Sequence, residues 1–413
     1  MLRFLWSWIL AAGCASLVAQ GGEAGRAAHF DLHAQMQLWS VYEFGQEQWN
    51  EGEGHYVPQA GRLDILVRRA RLGADFSRGT RLHLVSAIEM DQLGPAPLAA
   101  HEDPWSLELR VLDFYGSYRL ANTEALHLSG GLFRPQIGRE NITGAFAVAS
   151  MEKSHTQGYL RQFLTGNPFG RAAGLTLGGL VDLSESVQLR YDLGAFSPGE
   201  GTGKTEQDAF LWERQVLVTG RVLLQLGMPE QANYRLSHRI NYFDKRRGLS
   251  LGLAGAQAAD LAGGSRTVWA ADLLYNHRRW VVDADVVALV GHIGVKSRAW
   301  AGHIRLSSNH YPAEGHIIQS FLMYGSYRGP SEREAATDAL GQGMAAGVSD
   351  RWSVGVLWHT PERGLSLSLQ LTLHEGEAAG LDESVPVNDH FYENGLGAIK
   401  RGHWMGLGAQ ISL

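Results

Sequence analysis

The sequence predicts an all-β fold: a transmembrane antiparallel β-barrel of about 16 strands (16–18). The first observation is that stretches of about ten residues alternate apolar and polar side chains along the chain. The second is that very short connections between these stretches alternate with long polar ones. The third is an N-terminal segment typical of exported proteins. At about 24 residues per strand and connection, a mature chain of about 390 residues provides about 16 strands.

Residues 1–28 are interpreted as a signal peptide with a short N-terminal segment, and residues 29–413 as the barrel. The start Met1-Leu-Arg3 is basic, the run from Phe4 to Val18 is apolar, and small and polar residues follow. This run is shorter than the roughly 20 residues that a membrane-spanning helix needs. We therefore expect the rest of the chain to be exported. The single cysteine, Cys14, lies in the signal segment, and its lipidation stays an alternative.

Alternation of apolar and polar residues begins at the first expected strand and recurs to the end of the chain. Clear examples are Phe30–Leu38, Val187–Ala195, Trp280–Val286 and Leu365–Leu373, in which every second residue is apolar. Such a strand meets two different environments on its two faces. A soluble β-sandwich or propeller would pack its apolar faces together, whereas an outer-membrane barrel turns them to lipid and lines its lumen with the polar faces.

Connection lengths and aromatic residues favour the barrel. Leu183–Val187 and Asn276–Trp280 are short, whereas Ser197–Asp208 and Gly329–Val348 are long and polar, as expected for periplasmic turns and external loops. Aromatic residues near strand ends predict belts at the two membrane interfaces. These residues are Trp39, Tyr42, Phe114, Tyr115, Trp280, Trp300, Trp352, Trp358 and Trp404. The last stretch, Gly406–Leu413, resembles the terminal strand that outer-membrane assembly machinery recognises, with Leu413 in place of the usual Phe.

Other classes of ligand are disfavoured. The stretch Pro198–Thr205 is a near miss to a phosphate-binding loop, but Pro198 stands where the first glycine is needed and the flanking segments alternate like strands. A net charge of −6 with short, scattered basic clusters argues against nucleic acid. The 17 histidines show no paired metal-ligand spacing. We therefore expect neither a cofactor nor a metal.

Three motifs carry a family resemblance. Gly131–Glu140 reads GLFRPQIGRE, and it is followed by Ala147–Ser154 and by Phe169–Gly174. Together they resemble the phosphate-selective porin O and P family, whose members carry a Gly-x-Phe-Lys-Pro-Pro-Phe-Gly-x-Glu run, a Met-Glu-Arg-Ser-like segment and an Arg-x-x-Gly strand start. Arg134 replaces the usual Lys, and Gln136-Ile137 replaces Pro-Phe.

The resemblance covers roughly residues 65–195, where Arg68–Gly73 and Asp113–Tyr115 also fit, and is diffuse beyond. It implies an outer-membrane porin of a Gram-negative-type bacterium, with a homotrimer as one assembly and with the segment Arg139–Asn167 narrowing the pore. Its function would be passive diffusion of small hydrophilic solutes, including anions such as phosphate, without catalysis.

Register assigns candidate pore-lining and solute-contacting residues, because the positions between outward apolar residues face the lumen. They are Arg69, Arg71, Arg110, Arg190 and Arg221 on strands, with Arg134, Arg139, Glu140 and Lys153 near the constriction. Acidic residues share these faces, and many charges are expected to pair across neighbouring strands. The mixed lumen predicts weak anion preference, carried mostly by Arg134 and Arg139.

Two alternatives remain open. One is a structural or docking barrel whose lumen is plugged and whose external loops bind a partner. The other is a hydrolase at the outer rim, for which His303, Ser307 and His310 are candidates without a supporting motif.

Overall fold

The computed structural model describes residues 28–50, 52–90, 109–167, 169–198, 216–259, 264–293, 295–361, 364–377, 399–400 and 402–413. The expected signal peptide, including Cys14, and most of the Pro198–Thr205 stretch lie outside the described residues. Within them, 16 strands form a closed barrel in which β1 pairs antiparallel with both β4 and β19. The predicted barrel and its strand number are confirmed.

In chain order the strands are β1 (Ala28–Phe44), β2 (Glu47–Asn50), β3 (His55–Pro58), β4 (Arg62–Arg78), β5 (Leu82–Glu89), β6 (Arg110–Arg119), β7 (His127–Phe133), β8 (Ala172–Ser184), β9 (Val187–Ser197), β10 (Val216–Gly227), β11 (Gly248–Ala259), β12 (Ser265–His277), β13 (Trp280–Ile293), β14 (Val295–His310), β15 (Ile317–Arg328), β16 (Val348–His359), β17 (Leu365–Glu377), β18 (Ile399–Lys400) and β19 (His403–Ser412). Strands β2, β3 and β18 form a separate three-stranded sheet, and the others form the barrel.

The outer face of the barrel is apolar and the inner face is largely polar. On β11, Leu251 and Leu253 point outward, and Leu253 is 68% exposed, whereas Ser250, next to Leu251, is buried. On β14, outward Ile304 and Leu306 flank the buried Arg305. A continuous exposed apolar surface of this kind is stable against lipid and unstable against water.

The strand connections fall at two ends of the barrel. Short turns such as those between β8 and β9 and between β12 and β13 define one end, here called the turn end. The other, here called the loop end, holds the connection between β15 and β16, which contains helix α3 (Arg333–Gly341). One connection at the turn end is long: residues 228–247, between β10 and β11. Sequence patterning did not predict this feature.

Residues 134–171, between β7 and β8, form an inward loop with helices α1 (Arg139–Ile142) and α2 (Thr156–Thr165). Helix α2 ends at Gly166, whose left-handed φ of 71° lets its N–H donate to the carbonyl of Gln162. The loop reaches inner-face side chains of β4, β12, β13, β14 and β15. Within the described residues, no helix is long and apolar enough to cross a membrane.

Two details differ from the sequence expectation. Trp39 and Trp404 face inward: Trp39 is 2% exposed, and the two rings stack with centroids 6.3 Å apart, so neither belongs to an interfacial belt. Tyr115 also faces the lumen, where it lines a cavity. Trp280, Trp300 and Trp352 do lie exposed on the outside. The inner face is also not uniformly polar, because small apolar side chains replace polar ones on β11 to β14, where helix α2 packs against the wall.

Candidate functional site: a divided lumen

Helix α2 is fixed to the barrel wall by apolar packing. Leu160, Phe163 and Leu164 of the helix are buried in one cluster with inner-face residues. The wall side chains in this cluster include Ala254, Ala256, Ala258, Val268, Ala270, Val287, Leu289, Ala299 and Ala301. Tyr159 stacks on Tyr327 of β15, with ring centroids 3.7 Å apart. Because each fully buried large apolar side chain contributes roughly 1.5–3 kcal/mol, this packing holds the inward loop against one wall.

Arg139 connects the inward loop to that wall and to the long connection at the turn end. Its Nη1 and Nη2 donate to the two carboxylate oxygens of Glu230 at 2.9 and 2.8 Å, and its Nε donates to Asp272 of β12 at 3.0 Å. Arg221 of β10 pairs with the same Asp272. Arg139 is 1% exposed, so its guanidinium is committed to these carboxylates.

The neighbouring Glu140 makes a second charged contact with the wall. Its Oε2 accepts from Nη2 of Arg305, at 2.9 Å, and the same nitrogen donates to Asp283 at 2.8 Å. Glu140, Asp283 and His303 place possible metal-ligand atoms within 4.8 Å of one another. Arg305 already joins both carboxylates, so a guanidinium supplies the positive charge that a cation would bring to this cluster.

Residues 228–247, here called the return segment, fold from the turn end into the lumen and meet the inward loop. Thr143 and His238 form an isolated parallel bridge. The N–H of Ile240 donates to the carbonyl of Ala147 at 3.1 Å. Two segments that enter from opposite ends of the barrel are therefore joined by backbone hydrogen bonding as well as by the Arg139 ion pair.

The return segment has two different faces. Tyr234, Leu236 and His238 are buried, whereas Arg235 and Arg239 are exposed. Burial, together with the charge of nearby Arg190, lowers the pKa of His238 to about 4. The buried face thus packs neutral side chains against the loop and wall, and the exposed face carries two cations.

The middle of the inward loop is anchored to β4. Nη2 of Arg69 donates to Glu152 at 2.6 Å, and Nε of Arg68 donates to the other carboxylate oxygen at 3.1 Å. Burial raises the pKa of Glu152, but the Arg69 and Arg68 guanidiniums outweigh it and leave that pKa at about 2. Lys153 donates from Nζ to the carbonyl of Thr143 at 2.8 Å.

A cavity of about 710 Å³ remains between these segments and the walls formed by β1, β4, β5 and β6. Its basic lining residues are Arg71, Arg134, Arg171, Arg235 and Arg239, and its acidic ones are Asp75, Asp113 and Glu230. Asp113 is held by both ends of the Arg171 guanidinium, at 2.9 and 3.0 Å, and Glu230 by Arg139. Among the described residues, Arg134 donates to carbonyls alone, those of Asn141, Thr143 and Phe169. Arg71 donates to Glu89 at 3.2 Å. Arg134, Arg235 and Arg239 make no ion pair among the described residues, so they give the cavity an excess of positive charge.

The lumen thus has two parts. In the sealed half, the inward loop and the return segment pack on the inner faces of β8 to β15. This half holds six buried carboxylates, Glu140, Asp192, Glu230, Asp272, Asp283 and Asp285. Four buried arginines pair with carboxylates of this set: Arg139, Arg190, Arg221 and Arg305. Arg161, Arg246 and Arg266 are also buried in this half, and they donate to uncharged groups. The cavity half is the space along β1, β4, β5 and β6, where arginines outnumber acids.

The predicted solute-contacting residues are divided between these halves. Arg71 and Arg134 line the cavity. Arg139, Glu140, Arg190 and Arg221 are buried in ion pairs of the sealed half, Arg69 and Lys153 are buried in loop anchors, and Arg110 lies 4.5 Å over the Phe169 ring. Sequence reasoning missed Arg171, Arg235 and Arg239; the alternating Tyr234–Asn241 stretch, with both arginines on one face, was the available signal.

The three residues considered for a rim hydrolase do not form a catalytic pair. The Ser307 hydroxyl is buried and has no hydrogen-bond partner within the described residues. His303 contacts Asp283 at 3.3 Å, and His310 contacts Ser308 at 3.4 Å. A nucleophile needs a base within hydrogen-bond reach, and Ser307 has none here.

Comparison with solved structures identifies the fold. The outer membrane channel DcaP of Acinetobacter baumannii is similar over 95% of this chain and 99% of its own, with a TM-score of 0.56 and 13% identity. An anion-selective porin from Comamonas acidovorans is similar over 94% and 100%, with a TM-score of 0.53 and 12% identity. OmpF of Salmonella typhi, in complex with daunomycin, is similar over 93% and 97%, with a TM-score of 0.54 and 10% identity.

No protein-family model matches the sequence, and no curated protein matches it. The similarity to the three solved structures, at 10–13% identity, concerns the fold. The chain is an outer-membrane type of β-barrel with the porin fold.

Proposed function

We propose that the chain is a porin of a Gram-negative-type outer membrane, through which small hydrophilic solutes diffuse passively with a preference for anions. The observation that carries the proposal is the cavity half of the lumen, with five arginines against three acidic residues. Fixed cations along a narrow path raise the local concentration of anions and select for them.

The sealed half explains why the two halves differ in charge. Arg139, Arg190, Arg221 and Arg305 of this half are matched by carboxylates inside buried pairs, so they do not face solutes. In the cavity half, Arg235 and Arg239 are exposed and make no ion pair among the described residues. Solutes therefore pass along β1, β4, β5 and β6, where these side chains and Arg134 set the field.

The resemblance to the phosphate-selective porin O and P family supports anion preference and makes inorganic phosphate one candidate solute. It also supports a homotrimer as the assembly. The exposed end of β19 at Leu413 is consistent with recognition of Gly406–Leu413 by the barrel-assembly machinery. No enzyme activity is proposed.

A planar-bilayer experiment tests the function. Purified protein in a potassium chloride gradient should show discrete conductance steps and a reversal potential on the anion-selective side. Absence of steps under every condition would favour the second candidate, a docking barrel with a plugged lumen, which the filling of the sealed half by two segments supports. A reversal potential on the cation side would contradict the proposed selectivity.

A further inference from the structure

The cavity half contains an apolar strip that passive passage of inorganic ions does not require. On β5, the inward residues are His83, Val85, Ala87 and Glu89, so two apolar side chains occupy the middle of a lumen-facing row. Val85 lies directly opposite Tyr115 of β6 in the strand register. Both residues, with Ala87, are only partly buried and line the cavity.

The inward loop adds apolar side chains to the lining of the same cavity. Phe146 of the inward loop is partly buried and lines the cavity, beside Ala145 and Ile142. The guanidinium carbon of Arg71 lies 5.6 Å from the centroid of the Phe146 ring. An aromatic face and a cation are therefore adjacent, so one bound molecule can touch both.

We propose that this cavity is a binding site for organic anions that combine one carboxylate with a compact apolar body, such as aromatic monocarboxylates. The carboxylate pairs with the arginines at one side of the cavity, Arg134, Arg235 and Arg239. The apolar body lies between Phe146 and the strip formed by Val85, Ala87 and Tyr115. The proposal rests on the proposed function in that the solute reaches the site through the lumen.

Size and charge narrow the class of ligand. A volume of about 710 Å³ falls within the range of roughly 300–1,000 Å³ that is usual for small-molecule sites, which are mostly apolar with a few placed polar groups. Inorganic phosphate would occupy a small part of this volume and leave the apolar strip in contact with water. The acidic side chains that a cationic ligand would need are already engaged among the described lining residues: Asp113 pairs with Arg171, and Asp75 contacts His83 at 3.4 Å.

The test compares benzoate and acetate as probes on the full barrel. In planar bilayers, benzoate should interrupt the chloride current at about tenfold lower concentration than acetate, since both carry one charge and only benzoate buries a ring. Phe146→Ala should weaken the benzoate effect by about tenfold. Leu84→Ala, an outward neighbour on the Val85 strand, is the matched control and should leave it as in the wild type.

Equal effects of benzoate and acetate in a conducting channel would overturn the inference while leaving the porin function standing. Unchanged benzoate sensitivity in Phe146→Ala would also overturn it. If the protein forms no channel, the proposed function fails instead, and calorimetric titration of the detergent-solubilised barrel with benzoate decides the binding site separately. Saturable binding that Phe146→Ala weakens would support the site, and heat of dilution alone would refute it.

Discussion

The inward loop separates two halves of the lumen, and the charged side chains are arranged differently in each. In the sealed half, Arg139, Arg190, Arg221 and Arg305 are buried in ion pairs with carboxylates. In the cavity half, arginines outnumber carboxylates, and Arg235 and Arg239 are exposed. The inward loop is the partition: Arg139 and Glu140 face one side, and Arg134 and Phe146 face the other. The comparison shows that inner-face charge alone does not identify a pore-lining residue, because the inward loop and the return segment bury some of these charges.

The largest expected effect comes from breaking the partition. Arg139→Ala leaves Glu230 buried without its bidentate partner, which costs about 3–5 kcal/mol of stability. The return segment and the inward loop should then separate, so single-channel conductance should rise and the thermal unfolding temperature should fall.

Arg328→Ala is the control for this prediction, because its pair with Asp350 is partly exposed and should be worth less than about 1 kcal/mol. Unfolding temperatures that are equal in the two variants would show that the sealed half is not held by the Arg139 pair.

A smaller effect is expected from neutralising the exposed face of the return segment. The double variant Arg235→Ser, Arg239→Ser removes two cavity cations without breaking an ion pair, so the reversal potential should move toward cations. Arg278→Ser with Arg279→Ser changes the net charge equally at exposed positions of the β12–β13 turn and should not move it. Identical shifts in both double variants would place selectivity outside the cavity.

The smallest effect concerns pH. Burial lowers the pKa of His238 from 6.5 to about 4, with the charges of Arg190 and Arg221 adding to it and Glu230 opposing it. A detached return segment would take up a proton near pH 6.5, so its attachment is full above that pH and weakens as pH falls from 6.5 to 4. Hydrogen exchange of residues 228–247, corrected for intrinsic rates, should be faster at pH 5 than at pH 7.5.

The Glu152 anchor provides an internal control for the pH prediction. Because its pKa is about 2, its contribution is lost only as pH falls from about 4.5 to 2. Residues 148–154 should therefore keep the same protection at pH 5 and 7.5. Equal hydrogen-exchange protection of the return segment at pH 5 and pH 7.5 would show that protonation of His238 does not control its attachment.

Periodicity was enough to predict the barrel, since outward leucines such as Leu367 and Leu407 recur at every second position and the closing strand ends at Ser412. The predicted constriction segment Arg139–Asn167 lies within the inward loop. Its partners could not be predicted, because Arg139 bonds residues 91 and 133 positions away, and alternation gives no information about contacts across a lumen. The packing role of the inner alanines of β11 was also not predicted. These alanines pack in one buried cluster with helix α2, whereas alternation led us to expect polar side chains on a solvated wall.

The return segment was missed for a different reason. Its stretch Tyr234–Asn241 alternates apolar and polar residues like a barrel strand, but His238 forms a bridge with Thr143 of the inward loop. Alternation at every second residue indicates only that the two faces of a segment meet different environments. The return segment meets that condition inside the lumen, because one of its faces is buried against the loop and wall and the other is exposed.

The most direct test of a divided lumen uses single cysteines, because the only natural one, Cys14, lies in the expected signal peptide. Val85→Cys places a thiol in the cavity half, and Ala256→Cys places one beneath helix α2 in the sealed half. A negatively charged methanethiosulfonate reagent, added while current is recorded, should lower the anion current through the Val85→Cys channel and leave that of Ala256→Cys unchanged. Loss of current in Ala256→Cys with none in Val85→Cys would show that solutes pass through the half described here as sealed.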